Sequence, residues 1–289
     1  MTEQWVTYHD RPAMSDSRMV LAFTGWMDGG EVSTGSVEFL VQQLGAEPVA
    51  EINAEGAYIA QLPGSMEMSA IVRPHVQIKE GLVEAFHVLS NTVYAHPDTR
   101  LLLMLGREPN MRWSKYADSL LAIGRQFGVR EYVFAGSVAG AVPHTREPRF
   151  MGTVSQSHLL HRLNQHGIRA LDYEGPASMA SYLTAVAAER GVEMMSLVAE
   201  IPAYVQGRNV RGVEAVVRKL SAVLGLHVSL DELRQMSDAL ERKLNELVEE
   251  HEDLAKLITK LEQDYDNEVF DTQMGDLKDW LQQRGIRVD

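Results

Sequence analysis

MVLAFTGWMDGGE, residues 19–31, decides the fold class when read together with residues 32–53. Five apolar residues without helical spacing, MVLAF, read as a buried strand that stops at Gly25. A helix is expected from Glu31 to Leu44, because Val37, Leu40, Val41 and Leu44 share one face and Gly45 offers a stop. PVAEIN, residues 48–53, is the next strand. A strand, a helix and a strand in this order imply a parallel pair, and so an α/β protein.

The pattern continues outward. TRLLLML (99–105), REYVFA (130–135) and MMSLVAEI (194–201) read as strands. Helices are expected over 114–127, 155–166 (with Ser155 as its N-cap), 177–190 and 210–224. Residues 56–99 are ambiguous. AYIAQLP, HVQIKEG and LVEAFHVL look like short strands or hairpins, but 82–94 reads equally well as a helix.

The composition bounds the function. At 289 residues and 45% hydrophobic, the chain can bury a real core. A core domain over residues 1–228 with a helical arm over 229–289 fits that length. The absence of cysteine removes disulfides, thiolate zinc sites and a cysteine nucleophile, and suits a reducing, cytoplasmic setting. MTEQWVTYHDRP has no basic start leading into an apolar stretch, so no signal peptide is expected. The apolar run at 101–105 is far short of a membrane helix. The net charge is −13, and residues 231–289 alone carry 17 acidic against 8 basic side chains. Nucleic acid and anionic membranes are therefore not expected as partners.

Three loops carry the chemistry. TGWMDGGE follows the first strand, GREPNMRW follows Leu105, and GSVAGAVPHTREP follows Ala135. Ligands in open α/β sheets sit outside the carboxyl ends of the strands. If these strands are parallel neighbours in a mostly parallel sheet, the loops crowd one edge. That makes Trp26, Asp28, Glu31, Arg107, Glu108, His144, Thr145 and Arg146 the candidate ligand-binding residues, with Trp113 nearby. Each also has a structural reading. Gly29 and Gly30 permit a tight turn that Asp28 caps, Trp113 covers the following helix, and Arg146 pairs with Glu147 or Glu108.

No catalytic signature is present. There is no phosphate loop and no dinucleotide fingerprint. Ser137 in AGSVAG lacks the glycine spacing of a nucleophile elbow. His158, His161 and His166 share one expected helix without a carboxylate at metal-ligand spacing, so no metal and no cofactor are expected.

Gly25-Trp26-Met27-Asp28-Gly29-Gly30, Gly106-Arg107-Glu108-Pro109 and Pro143-His144-Thr145-Arg146 together resemble the proteasome assembly chaperone 2 family, especially its actinobacterial branch. YEGPASM (173–179) and EIPAYV (200–205) are similar too, and the resemblance spans residues 18–262. It implies a three-layer α/β/α core similar to nucleoside phosphorylase-like proteins, with a C-terminal helical extension. It also implies a protein partner, proteasome-related, and a homo-oligomer such as a trimeric ring. Archaeal and eukaryotic members tend to carry a hydrophobic–tyrosine–any-residue tail. Arg287-Val288-Asp289 lacks that tyrosine, so docking by the tail is not implied.

In the arm, Ser229 and Glu232 suggest a capping box. Leu240, Leu244, Leu247, His251, Leu254, Ile258, Leu261 and Tyr265 form a heptad stripe that must cover something, either the core or another subunit. A last helix over 274–283 is expected to fold back through Leu277, Trp280 and Leu281. Two functions remain: a chaperone-like or scaffold protein without catalysis, or a small-ligand protein or enzyme with a phosphorylase- or hydrolase-like site at the loop edge.

Overall fold

The computed structural model describes residues 5–70, 72–87 and 91–283. The strands in chain order are β1 (Val6–Tyr8), β2 (Ser17–Thr24), β3 (Glu47–Ile52), β4 (His75–Lys79), β5 (Leu82–His87), β6 (Thr92–His96), β7 (Leu101–Arg107), β8 (Val129–Gly140), β9 (Arg149–Gly152), β10 (Arg169–Ala170) and β11 (Glu193–Pro202). The helices are α1 (Val32–Leu44), α2 (Met66–Ala70), α3 (Trp113–Gln126), α4 (Leu160–Gln165), α5 (Met179–Glu189), α6 (Val210–Leu224), α7 (Asp231–Glu250) and α8 (Glu252–Gln283).

Nine strands form one mixed sheet in the order β1-β3-β6-β7-β2-β8-β11-β9-β10. Its centre, β7-β2-β8-β11, is parallel, and its apolar runs are buried on both faces. Helices pack on both sides. Val37, Leu40, Val216 and Leu220 of α1 and α6 cover one face, and Tyr116, Leu120 and Leu183 of α3 and α5 cover the other.

Two topological expectations are corrected. β2 and β3 run the same way but do not pair, because β7 and β6 lie between them. The sheet is mixed, not mostly parallel, because β1, β3, β6 and β9 add antiparallel contacts at its flanks. The ambiguous stretch resolves into a separate β4–β5 hairpin followed by β6, while residues 58–60 form no strand. Ser155 is not a helix cap. Its hydroxyl donates to the Val192 carbonyl and accepts from the Met194 N–H.

The arm is an antiparallel pair of helices. His251 adopts an extended backbone (φ −129°, ψ 99°) between α7 and α8, so the heptad stripe breaks there instead of running on. The formal cap residue of α7, Leu230, makes no side-chain bond. The Ser229 hydroxyl accepts the Asp231 N–H at 3.3 Å and donates to Asp231 Oδ2 at 3.0 Å, so Ser229 serves the helix start with Asp231 and not in a box with Glu232. Leu233 and Ile258 are buried, which ties both helices to the rest of the molecule. α8 continues unbroken to Gln283. Residues 274–283 are the last turns of α8, so the separate last helix expected to fold back through Leu277, Trp280 and Leu281 does not form.

Candidate functional site

The loops after β2, β7, β8 and β11 leave the sheet at one edge, because those strands are adjacent and parallel. The chain turns from β2 to α1 on one face and from β7 to α3 on the other. The gap between β2 and β7 is therefore the switch point where an open α/β sheet would hold a ligand.

Here the chain holds itself together. Glu108 Oε2 accepts the Trp26 N–H at 3.0 Å, and Oε1 accepts the Met179 N–H at the start of α5 at 2.7 Å. Gly25 makes room for this carboxylate. It has φ 135°, and a Cβ there would lie 3.1 Å from the Glu108 side chain. Trp113 closes the same turn, its Nε1–H donating to the Pro109 carbonyl at 2.6 Å and its ring meeting Tyr182 edge-on.

Asp28 acts on α1. Oδ1 accepts the Thr34 N–H at 3.1 Å and Oδ2 accepts the Thr34 hydroxyl at 2.8 Å. The formal cap residue, Glu31, makes no side-chain bond, so Asp28 satisfies the helix start from three residues further back. Burial raises the Asp28 pKa, against the opposing pull of its bonds to Thr34 and Ser33. Beside it, the Ser137 N–H donates to the Met27 carbonyl and the Ser137 hydroxyl donates to Gly29, both at 2.8 Å.

Arg107 ends β7 around a polar centre that no sequence motif marks. Asn91, fully buried, accepts on Oδ1 from the Arg107 N–H (3.0 Å) and faces the hydroxyls of Tyr58 (3.0 Å) and Tyr116 (2.9 Å). Burial pushes the Tyr58 pKa up to about 12, so its proton stays in the network. Asn91 lies in the ambiguous 82–94 stretch, where its neighbours give no hint of a buried amide. Trp26 and Glu31 stay exposed.

The third loop faces the arm. His144 is buried, with Nδ1 against the Tyr204 hydroxyl at 2.7 Å and Nε2 against Asn245 Oδ1 of α7 at 3.0 Å. The Thr145 hydroxyl donates to Glu262. Arg146 grips Asp266 through two nitrogens at 2.9 and 2.8 Å, and Glu262 at 3.3 Å. This bidentate pair raises the Arg146 pKa and lowers that of Asp266. Arg146 thus pairs with neither Glu147 nor Glu108, and Glu147 pairs with Arg218. The candidates divide into two groups. Trp26, Asp28, Glu31, Arg107 and Glu108 belong to the first two loops, while His144, Thr145 and Arg146 are held by α7 and α8.

Among the described residues, no group of three or more His, Cys, Asp or Glu side chains could hold a metal ion, and no helix is long and apolar enough to cross a membrane. His158 pairs instead with Glu193 at 3.0 Å.

The family model described as the PAC2 family matches residues 22–248, from β2 through most of α7. The chain belongs to the PAC2 family. This PAC2 chain is similar to a solved proteasome-assembly chaperone homologue of Mycobacterium tuberculosis, with 27% identity and a TM-score of 0.73, covering 83% of this chain and 99% of that one. It is also similar to a PAC2 family protein of Streptomyces avermitilis, with 26% identity and a TM-score of 0.71, covering 84% and 100%. A protein of unknown function from Corynebacterium glutamicum, at 21% identity, shares the fold with a TM-score of 0.78, covering 92% and 98%. None of the curated proteins compared with the chain matches it.

Proposed function

We propose that this PAC2 protein is a chaperone-like or scaffold protein that binds a protein partner, the proteasome core, without catalysis. The observation that carries this reading is the β4–β5 hairpin. Val76 faces Phe86 and Ile78 faces Val83 across it, and a bulge after Gln77 puts all four on one face. They are 40%, 60%, 63% and 63% exposed. A two-stranded sheet in water is marginal alone, and an apolar face of this kind marks an interface. Residues 73–87 balance Arg73 and Lys79 against Glu80 and Glu84, so the face is neutral on a chain of net charge −13. A large acidic or basic partner can approach it without repulsion.

The similarity to the Mycobacterium tuberculosis proteasome-assembly chaperone homologue supports the choice of partner. Two further features favour binding over catalysis. Glu108 spans the switch-point gap, and Asp28, His144 and Arg146 are engaged in structural bonds. The same reading takes residues 1–228 as the core and 229–289 as the arm of a cytoplasmic homo-oligomer. Its three-layer α/β/α layout would resemble nucleoside phosphorylase-like proteins, supported by helices on both sheet faces.

Amide hydrogen exchange tests the reading. Purified proteasome core particles added to the full chain should slow exchange across residues 75–87. Unchanged exchange there at saturating particle concentrations would overturn it.

A further inference from the structure

Three side chains with unspent hydrogen-bonding groups meet in one open cleft of about 260 Å³, walled by Thr24 of β2, Thr34 and Glu38 of α1, Tyr94 of β6, and Leu105 and Arg107 of β7. Tyr94 and Leu105 pack on the sheet face that α1 covers, so the cleft lies across the sheet from the bond that joins Glu108 to α5. Arg107 is half-buried, and its guanidinium makes no hydrogen bond and no ion pair among the described residues. It stands 6.0 Å from the centre of the Tyr58 ring. Every other half-buried arginine among the described residues is bonded, to a carboxylate or, for Arg18, to the Leu224 carbonyl. The hydroxyls of Thr24 and Tyr94 have no partner among the described residues either. The carboxylates around the cleft are already engaged. Glu38 pairs with Arg208 at 3.3 Å, Asp28 holds Thr34, and Glu108 holds the N–H groups of Trp26 and Met179. What the cleft lacks is therefore an acceptor for Arg107. Half-burial strips water from its N–H donors, and donors left without a partner cost free energy.

We propose that this cleft binds a small aliphatic monocarboxylate. The planar fork of Arg107 takes the carboxylate through two parallel bonds, the Tyr94 hydroxyl donates a third, and the aliphatic body lies over Leu105. With no bond to restrain it, the guanidinium is free to turn onto the ligand. One unpaired guanidinium matches one negative charge, and Glu38 on the α1 wall repels a second, so the site suits a carboxylate better than a phosphate dianion. The volume falls just under the roughly 300–1,000 Å³ of drug-sized sites, which calls for a small ligand. The place is also the expected one, beside the carboxyl ends of β2 and β7 where an open α/β sheet holds its ligands.

The test is an NMR titration of the full chain with butanoate, butanamide and inorganic phosphate, following the amide signals of Thr24, Tyr94 and Leu105. Butanoate should shift these signals saturably, with a dissociation constant of about 10 mM or tighter. Butanamide keeps the shape and loses the charge, so it should bind about tenfold or more weaker. Phosphate should also bind more weakly than butanoate. Arg107→Gln should weaken butanoate about tenfold or more and, because the guanidinium holds nothing in the protein, leave the melting temperature unchanged. Tyr94→Phe should weaken it about threefold, as loss of one neutral hydrogen bond does, and carries the test if Arg107→Gln melts early. The proposal is overturned if butanoate gives no saturable shift of these signals, if butanamide binds as well, if phosphate binds more tightly, or if both variants keep the wild-type affinity.

Discussion

Glu108 Oε1 receives the backbone N–H of Met179, 71 residues along the chain, at 2.7 Å. With Trp26 on the other oxygen, one side chain fastens the loops after β2 and β7 to the start of α5. Glu108→Ala leaves both donors without that acceptor and should cost about 1–3 kcal/mol. Glu108→Gln keeps one acceptor and should cost less. Urea unfolding midpoints check the order. Equal midpoints for wild type and Glu108→Ala would show that the bonds contribute nothing.

Asp28→Ala should destabilise the protein by about 1 kcal/mol, as loss of a helix cap does, and Asp28→Asn by less. The pH dependence separates cap from charge. The folded pKa of Asp28 is raised above 3.8, so the folded state binds its proton more tightly. Its contribution is therefore fully present below pH 3.8 and is lost as pH rises through the folded value. Wild type should gain stability relative to Asp28→Asn on acidification through that window. A constant difference between the two would contradict the assignment.

Asp266 behaves the opposite way. Arg146 lowers its pKa below 3.8, so the clasp is intact above that pH and opens as pH falls through the lowered value. Arg146→Ala should speed amide exchange in α8 around Glu262 and Asp266 at neutral pH. High salt should do the same in part, because the pair is partly exposed. Exchange in α8 that responds to neither would mean that the apolar contacts at Ile258 hold the arm alone.

The buried runs MVLAF, LLLML and YVFA were legible because a strand covered on both faces needs no alternation. The pairing of β2 with β7 was not, since a βαβ pattern gives direction without saying which strands intervene. Gly25, Asp28 and Glu108 were legible as a turn chemistry, though not as a mutual lock, because the partner Met179 is remote in sequence. His144 and Arg146 were visible as residues. Their partners Asn245, Glu262 and Asp266 were hidden, because the heptad stripe gave no sign that the chain turns at His251. Asn91 was invisible because one polar residue in a short ambiguous strand carries no period.

The hairpin face gives a clean separation of stability from binding. Val83 and Phe86 are exposed, so Val83→Ser and Phe86→Ser should each shift stability by less than about 0.5 kcal/mol. Thermal unfolding of the two variants checks this, and a large loss would place these side chains in a packed core.

The most direct test of the account is a binding titration of fluorescently labelled full chain with purified proteasome core particles, wild type against the Val83→Ser, Phe86→Ser double variant. Burying two such side chains is worth about 1.5–3 kcal/mol each, so the variant should bind at least about tenfold more weakly at equal stability. No saturable binding by wild type, or equal affinity for both proteins, would contradict it.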